Sequence, residues 1–133
     1  MKVKHLESLL QQVTPFEEPN YMLEQYKTSA HLAARMIKAA DDLGDIEDKV
    51  VLDLGCGTGI LAIASQILGS SFTFGVDIDE GALESARTNA DEIGAEVELI
   101  RCNVADHTPF CSARREDVAG AGAAGKAGAG AGE

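Results

Sequence analysis

Residues 49–59, Lys-Val-Val-Leu-Asp-Leu-Gly-Cys-Gly-Thr-Gly, limit what this chain can fold into more than any other stretch. Val50, Val51, Leu52 and Leu54 form a short apolar run of the kind found in a parallel strand buried on both faces. Gly55, Gly57 and Gly59 then take every second place of a turn, and the apolar segment 60–64 that follows reads as a helix. A strand, a glycine turn and a helix N-terminus in that order form a nucleotide cradle, because residues without a Cβ let backbone amides approach a ligand closely.

Spacing narrows the ligand. The dinucleotide fingerprint G-x-G-x-x-G requires glycine at position 60, where this chain has Ile60. Asp53, at the strand end, would repel a pyrophosphate but can receive the ammonium of an amino-acid moiety, directly or through water. S-adenosyl-L-methionine has such an ammonium and no phosphate. A second apolar run at 72–76, Phe-Thr-Phe-Gly-Val, ends in Asp77, where an acid in a βαβ unit can accept hydrogen bonds from both ribose hydroxyls. The glycines alone also fit a structural turn with a capping acid; Asp53 and Asp77 together favour the cofactor.

The rest of the pattern predicts an incomplete α/β unit. Leu6, Leu9, Leu10 and Val13 lie at helical spacing, so residues 3–13 read as an amphipathic helix ended by Thr14-Pro15. Tyr21 to Ser29 suits either a ligand-facing loop or one that packs across the domain. Ser29 caps a helix over 30–40 with Leu32, Ala33, Met36, Ile37 and Ala40 on its inner face, and His31 reads as a surface residue. Helices over 60–68 and 80–92, the latter capped by Asp79 and facing inward through Leu83, Ala86, Ala90 and Ile93, alternate with strands at 72–76 and 96–100. Right-handed crossovers place the three parallel strands in the spatial order third, second, first, which leaves the glycine strand waiting for a fourth neighbour. None follows: 106–112 has no strand period, and 119–133 is almost wholly Ala and Gly, which predicts a disordered tail. The expected organisation is a helical cap with a cofactor loop over 1–48, half of a cofactor domain over 49–104, and the tail over 105–133.

Cys56, Cys102 and Cys111 lack metal-ligand spacing, and Cys56 reads as a small filler of the glycine turn, so no metal site is expected. With no long apolar run, a soluble chain of cytoplasm or nucleus is expected, with no membrane or DNA partner. The net charge of −11 would repel a phosphate backbone, so any nucleic-acid surface is missing from this chain or belongs to a partner.

With these residues laid out, the chain resembles the class I S-adenosylmethionine-dependent methyltransferases and their Rossmann-like fold. Within them it is similar to the branch that makes N6-methyladenosine in small-subunit ribosomal RNA. The marks are Leu23-Glu24-Gln25-Tyr26-Lys27-Thr28, Ala33-Ala34-Arg35-Met36, Asp45-Ile46-Glu47-Asp48-Lys49-Val50-Val51, Asp53-Leu54-Gly55-Cys56-Gly57 and Gly75-Val76-Asp77-Ile78-Asp79. The resemblance implies cofactor contacts at Gln25 and Thr28, at Gly55, Thr58 and Ile60, and at Asp77 on the ribose. It places Asn103 where the family has an acid for the adenine amino group, which implies weaker binding. Family members position the acceptor adenine with Asn-Pro-Pro-Phe after a fourth strand. This chain offers only His107-Thr108-Pro109-Phe110, read as an unrelated proline turn. The expectation is therefore the cofactor half of an rRNA adenine-N6 methyltransferase with no detectable turnover. The alternative is an inactive, truncated product that binds the cofactor weakly or engages the family's small zinc-binding activator subunit along the third-strand edge.

Overall fold

The computed structural model describes residues 1–15 and 28–105. Its elements run α1 (Val3–Leu10), α2 (Ala30–Asp42), β1 (Val50–Leu54), α3 (Ile60–Ile67), β2 (Phe72–Asp77), α4 (Glu80–Ile93) and β3 (Glu98–Arg101). Gln25, residues 107–110 and the Ala/Gly stretch 119–133 lie outside the described residues.

Local chemistry sets the helix ends. Ser29 Oγ accepts the Leu32 amide at 3.1 Å and starts α2, while Asp79 accepts the Gly81 amide at 3.1 Å and starts α4. Gly94, at φ +77°, closes α4 in the left-handed conformation that a Cβ disfavours. Helix α1 stops three residues short of the expected 3–13 span. Its ladder gives way to tighter turns, with the Gln12 and Val13 amides donating to the Leu9 and Leu10 carbonyls at 3.2 and 3.1 Å, and the Thr14 amide donates to the Asn89 side-chain oxygen at 3.0 Å.

The three strands are parallel in the order β1-β2-β3, with Val50 beside Phe72, Asp53 beside Gly75 beside Leu99, and Asp77 beside Arg101. Two right-handed crossovers stepping in the same direction put α3 and α4 on one face of the sheet. On that face Thr73 and Gly75 are buried, and Gln66 of α3 accepts hydrogen bonds from Ser70 and Thr73. Beyond α3 lie α1 and α2, and Leu6, Leu10, Ala33, Ala34, Ile63, Ala64 and Ala90 form the shared core. Full burial of Leu6, Leu10 and Ile63 contributes roughly 1.5–3 kcal/mol each.

Two expectations need correction. The buried stripe of α2 is Ala33 and Ala34, while Leu32 and Met36 point outward at about half exposure. Small side chains at 33 and 34 let α1 and α3 close on the helix from that side. The glycine strand is also covered on one face only: Val50, Leu52 and Leu54 are 66%, 48% and 57% exposed. Because both helical crossovers pack on the opposite face, no helix covers this one among the described residues, and only Val76 at its centre is fully buried. Phe72 shares it beside Val50, and Ile100 flanks the buried Val76, so exposed apolar side chains stand on all three strands of this face. Among the described residues no helix is long and apolar enough to cross a membrane.

Such a patch drives self-association without contributing to the core. Replacing Leu52 and Phe72 together with threonine should move the chain toward a monomer in sedimentation velocity and raise its solubility. Stability in urea should change by less than about 1 kcal/mol, as for other exposed positions.

A candidate cofactor site at the glycine turn

Leu54 ends β1, and Gly55, Gly57 and Gly59 follow with φ of +74°, +54° and +89°. At Gly59 the requirement is double, since a Cβ there would also meet Ala86 Cβ of α4 at 3.2 Å. Gly59 is the N-cap of α3 and brings no capping side chain. Asp53 reaches that helix end from β1 and takes a hydrogen bond from the Ala62 backbone.

The turn amides face into the protein. Gly55 and Cys56 donate to the Val76 carbonyl at 2.7 and 2.9 Å, Gly59 donates to the Cys56 carbonyl at 2.9 Å, and Gly57 donates to Asp77 Oδ2 at 2.8 Å. For these four amides, this corrects the expectation that the turn offers its backbone to a ligand. With four donors used internally and two carboxylates beside them, the turn disfavours a phosphate and suits a cation or a hydroxyl-rich group.

Sheet register settles where those carboxylates point. Asp53 pairs with Gly75, and Asp77 lies two residues beyond Gly75 on the same strand, so both acids project from the same face. Gly75 separates them, and a side chain there would crowd its neighbours: a Cβ would sit 3.0 Å from Cys56 Sγ and 3.0 Å from a Leu99 methyl. Asp77 is braced by the Gly57 amide on Oδ2 and the Asp79 amide, at 3.0 Å, on Oδ1. Asp53 is different. Burial pushes its pKa from the ordinary 3.8 up to about 6, the Ala62 amide offsets part of that rise, and the charge of Asp77 adds to it. Its Oδ2 is buried with no hydrogen-bond partner. Burial and the same two acids push the Cys56 thiol up to about 12, so it stays a neutral filler and not a nucleophile.

The remaining expected residues are more scattered. Thr58 is buried in the turn, and Ile60 opens α3. Thr28 is half-buried just before the α2 cap. Asn103 is exposed past β3, where its Oδ1 accepts the Ala105 amide at 3.0 Å, and Gln25 is outside the described residues. Exposed His31 pairs with Glu7 at 3.2 Å. No group of three His, Cys, Asp or Glu that could hold a metal occurs among the described residues. Sequence reasoning missed Asn89, whose side chain donates to the Thr58 carbonyl at 3.0 Å. The available signal was an amide three residues after Ala86 on the inner face of an amphipathic helix. A separate groove of about 460 Å³ between α1 and α2, lined by Glu7, His31, Arg35 and Lys38 among others, includes none of the turn residues.

Asp53 generates a pH prediction. Between about pH 4 and 6 the unfolded chain has an ionised Asp53 while the folded chain still holds its proton, so stability falls as pH rises through that window and levels off above it. Asp53→Asn should remove the slope. It should match the wild type below about pH 4 and exceed it by about 1–3 kcal/mol near neutrality in urea titrations.

The residues present fit S-adenosyl-L-methionine: an orphaned buried carboxylate oxygen suits its ammonium end, and a braced second carboxylate suits its ribose. The sequence profile of the ribosomal protein L11 methyltransferase family (PrmA) matches residues 27–118. The rRNA N(6)-adenosine-methyltransferase METTL5 of Danio rerio is 45% identical over 106 residues, which are 78% of this chain and 51% of the relative. A proposed RNA methyltransferase from Pyrococcus horikoshii superposes with a TM-score of 0.70 at 34% identity, covering 76% of this chain and 50% of that one. An RNA methyltransferase from Salinibacter ruber, solved with S-adenosyl-L-homocysteine, gives 0.54 at 27% identity over 61% of this chain and 52% of that one. The chain spans about half the length of the curated relatives it matches. With a matching profile, a shared Rossmann-like topology and the two acids at its glycine turn, the chain belongs to the class I methyltransferases that use S-adenosyl-L-methionine, in the family of the ribosomal protein L11 methyltransferase profile, and resembles METTL5.

Proposed function

We propose that the chain is the cofactor-binding half of an RNA methyltransferase that modifies adenine N6 in ribosomal RNA. The observation that carries the cofactor assignment is the turn whose amides face inward beside the unpartnered Oδ2 of Asp53. The substrate assignment is supported by the similarity to METTL5 of Danio rerio and of Drosophila melanogaster, named as rRNA N(6)-adenosine methyltransferases.

When bound, the cofactor supplies an electrophilic methyl group on sulfur. On this reading Asp53 receives the ammonium and is ionised by it, since a positive partner lowers a carboxyl pKa. Asp77 accepts from the ribose with the lone pairs that the Gly57 and Asp79 amides leave free. Gly55, Gly57, Thr58, Gly59 and Ile60 shape the wall between them, and Gln25, Thr28 and Asn103 stand as further proposed contacts, Asn103 through a neutral amide on the adenine. The acceptor motif Asn-Pro-Pro-Phe does not occur in the 133 residues. Adenine positioning of the kind it supplies accounts for most of the rate in such a reaction, so this chain by itself binds the cofactor without turnover.

The expected zinc-binding activator remains part of the proposal. Its support is β3, which pairs with β2 on one side and forms an edge of the sheet among the described residues, open to an added strand.

Calorimetry of the full chain with S-adenosyl-L-homocysteine should show one-site binding, and Asp77→Ala should weaken it by at least about tenfold, since it removes the ribose acceptor and frees the Gly57 amide. A methyl-transfer assay of the same chain on an adenosine-containing rRNA fragment should match the no-enzyme control. No binding by the wild type refutes the cofactor site; turnover above the control refutes the half-site reading.

A further inference from the structure

Asn89 is a buried polar group that the cofactor reading leaves unused. It is 2% exposed in the middle of α4, between aliphatic neighbours on the same face. Its side chain joins two segments that are distant in sequence. Oδ1 accepts the Thr14 amide at 3.0 Å, and Nδ2 donates to the Thr14 carbonyl at 3.1 Å and to the Thr58 carbonyl at 3.0 Å. Both amide hydrogens and one oxygen lone pair are therefore used, a pattern that aspartate, without a donor, cannot reproduce. Thr14 lies four residues beyond the end of α1, and Thr58 lies inside the glycine turn. One turn earlier on α4, Ala86 lies against the Gly59 position, so the helix meets the glycine turn from two successive turns.

We infer that Asn89 is a positioning residue that couples the docking of α1 to the shape of the glycine turn, so that cofactor binding and N-terminal docking reinforce each other. The inference rests on the cofactor reading above. Asn89 acts through the Thr58 carbonyl and makes no contact with the cofactor itself. A core position that served packing alone would hold leucine or alanine, as Leu83, Ala86 and Ala90 do. Coupling of this kind is reciprocal: a ligand that holds the turn must tighten α1, and loosening α1 must weaken the ligand.

Amide hydrogen exchange on the full chain, with and without S-adenosyl-L-homocysteine, tests it. In the wild type, ligand should slow exchange in α1 and at Thr14 as well as in the turn. In Asn89→Ala, binding should weaken about tenfold, and saturating ligand should no longer alter α1, while β2 stays protected. A role in packing alone would instead raise exchange throughout, β2 included. Ligand that binds the wild type and leaves α1 unchanged overturns the coupling but spares the cofactor site, and this measurement decides even if Asn89→Ala does not fold. Wild-type affinity in a folded Asn89→Ala also overturns it. Failure of the wild type to bind removes the site and the coupling together.

Discussion

The contact on which the site depends is the hydrogen bond from the Gly57 amide to the Asp77 carboxylate, 2.8 Å long. The other oxygen of that carboxylate holds the Asp79 amide, so one charge fixes the turn after β1, the end of β2 and the entry to α4. Charge-assisted bonds to backbone amides are among the stronger ones a protein makes. Together with the Val76 carbonyl, which takes the Gly55 and Cys56 amides, this hangs the glycine turn on β2. The turn is thus built before any ligand arrives, and its polarity is set by carboxylates and carbonyls. That is why the same strand-turn-helix order that binds pyrophosphate in other proteins presents the opposite electrostatic face here.

A second constraint comes from handedness. Because β1, β2 and β3 step across the sheet in one direction, every crossover helix falls on one side. The benefit is concentration: α3 and α4 both abut the glycine turn, one through its N-terminus and the other through Ala86 and Asn89. The cost is a bare face. Val50, Leu52, Leu54, Phe72 and Ile100 carry the hydrophobicity of a two-sided parallel strand set, yet only one side of the sheet carries helices among the described residues.

Much of this was legible in the sequence because it rests on local rules. Apolar runs ending in Asp53-Leu54 and Asp77 gave the strands, Ser29, Asp79 and Gly94 marked helix ends, and the missing glycine at 60 argued against a dinucleotide. What stayed hidden depends on tertiary approach. No periodicity says that Leu32 and Met36 face outward because alanines at 33 and 34 admit α1 and α3. Nor does spacing reveal that Asn89 meets Thr14, 75 residues away in the chain. The inward direction of the turn amides was also out of reach, since a glycine pattern specifies backbone freedom and not which way the freed N–H groups point.

The cause of the Asp53 shift says what could relieve it. A rise from 3.8 to about 6 corresponds to about 3 kcal/mol held against the charged form. Had the charge of Asp77 been the main cause, salt would screen much of the penalty in solution. Burial is the larger cause, and a lost hydration shell is not restored by salt; it is offset only by a partner that reaches the carboxylate. The Ala62 amide already serves one side, and Oδ2 still has none. A purely structural site would gain by exchanging this acid for a neutral side chain. Retaining a destabilising carboxyl behind the glycine turn makes physical sense where a cationic group enters and restores the missing interaction, which converts a folding cost into binding selectivity.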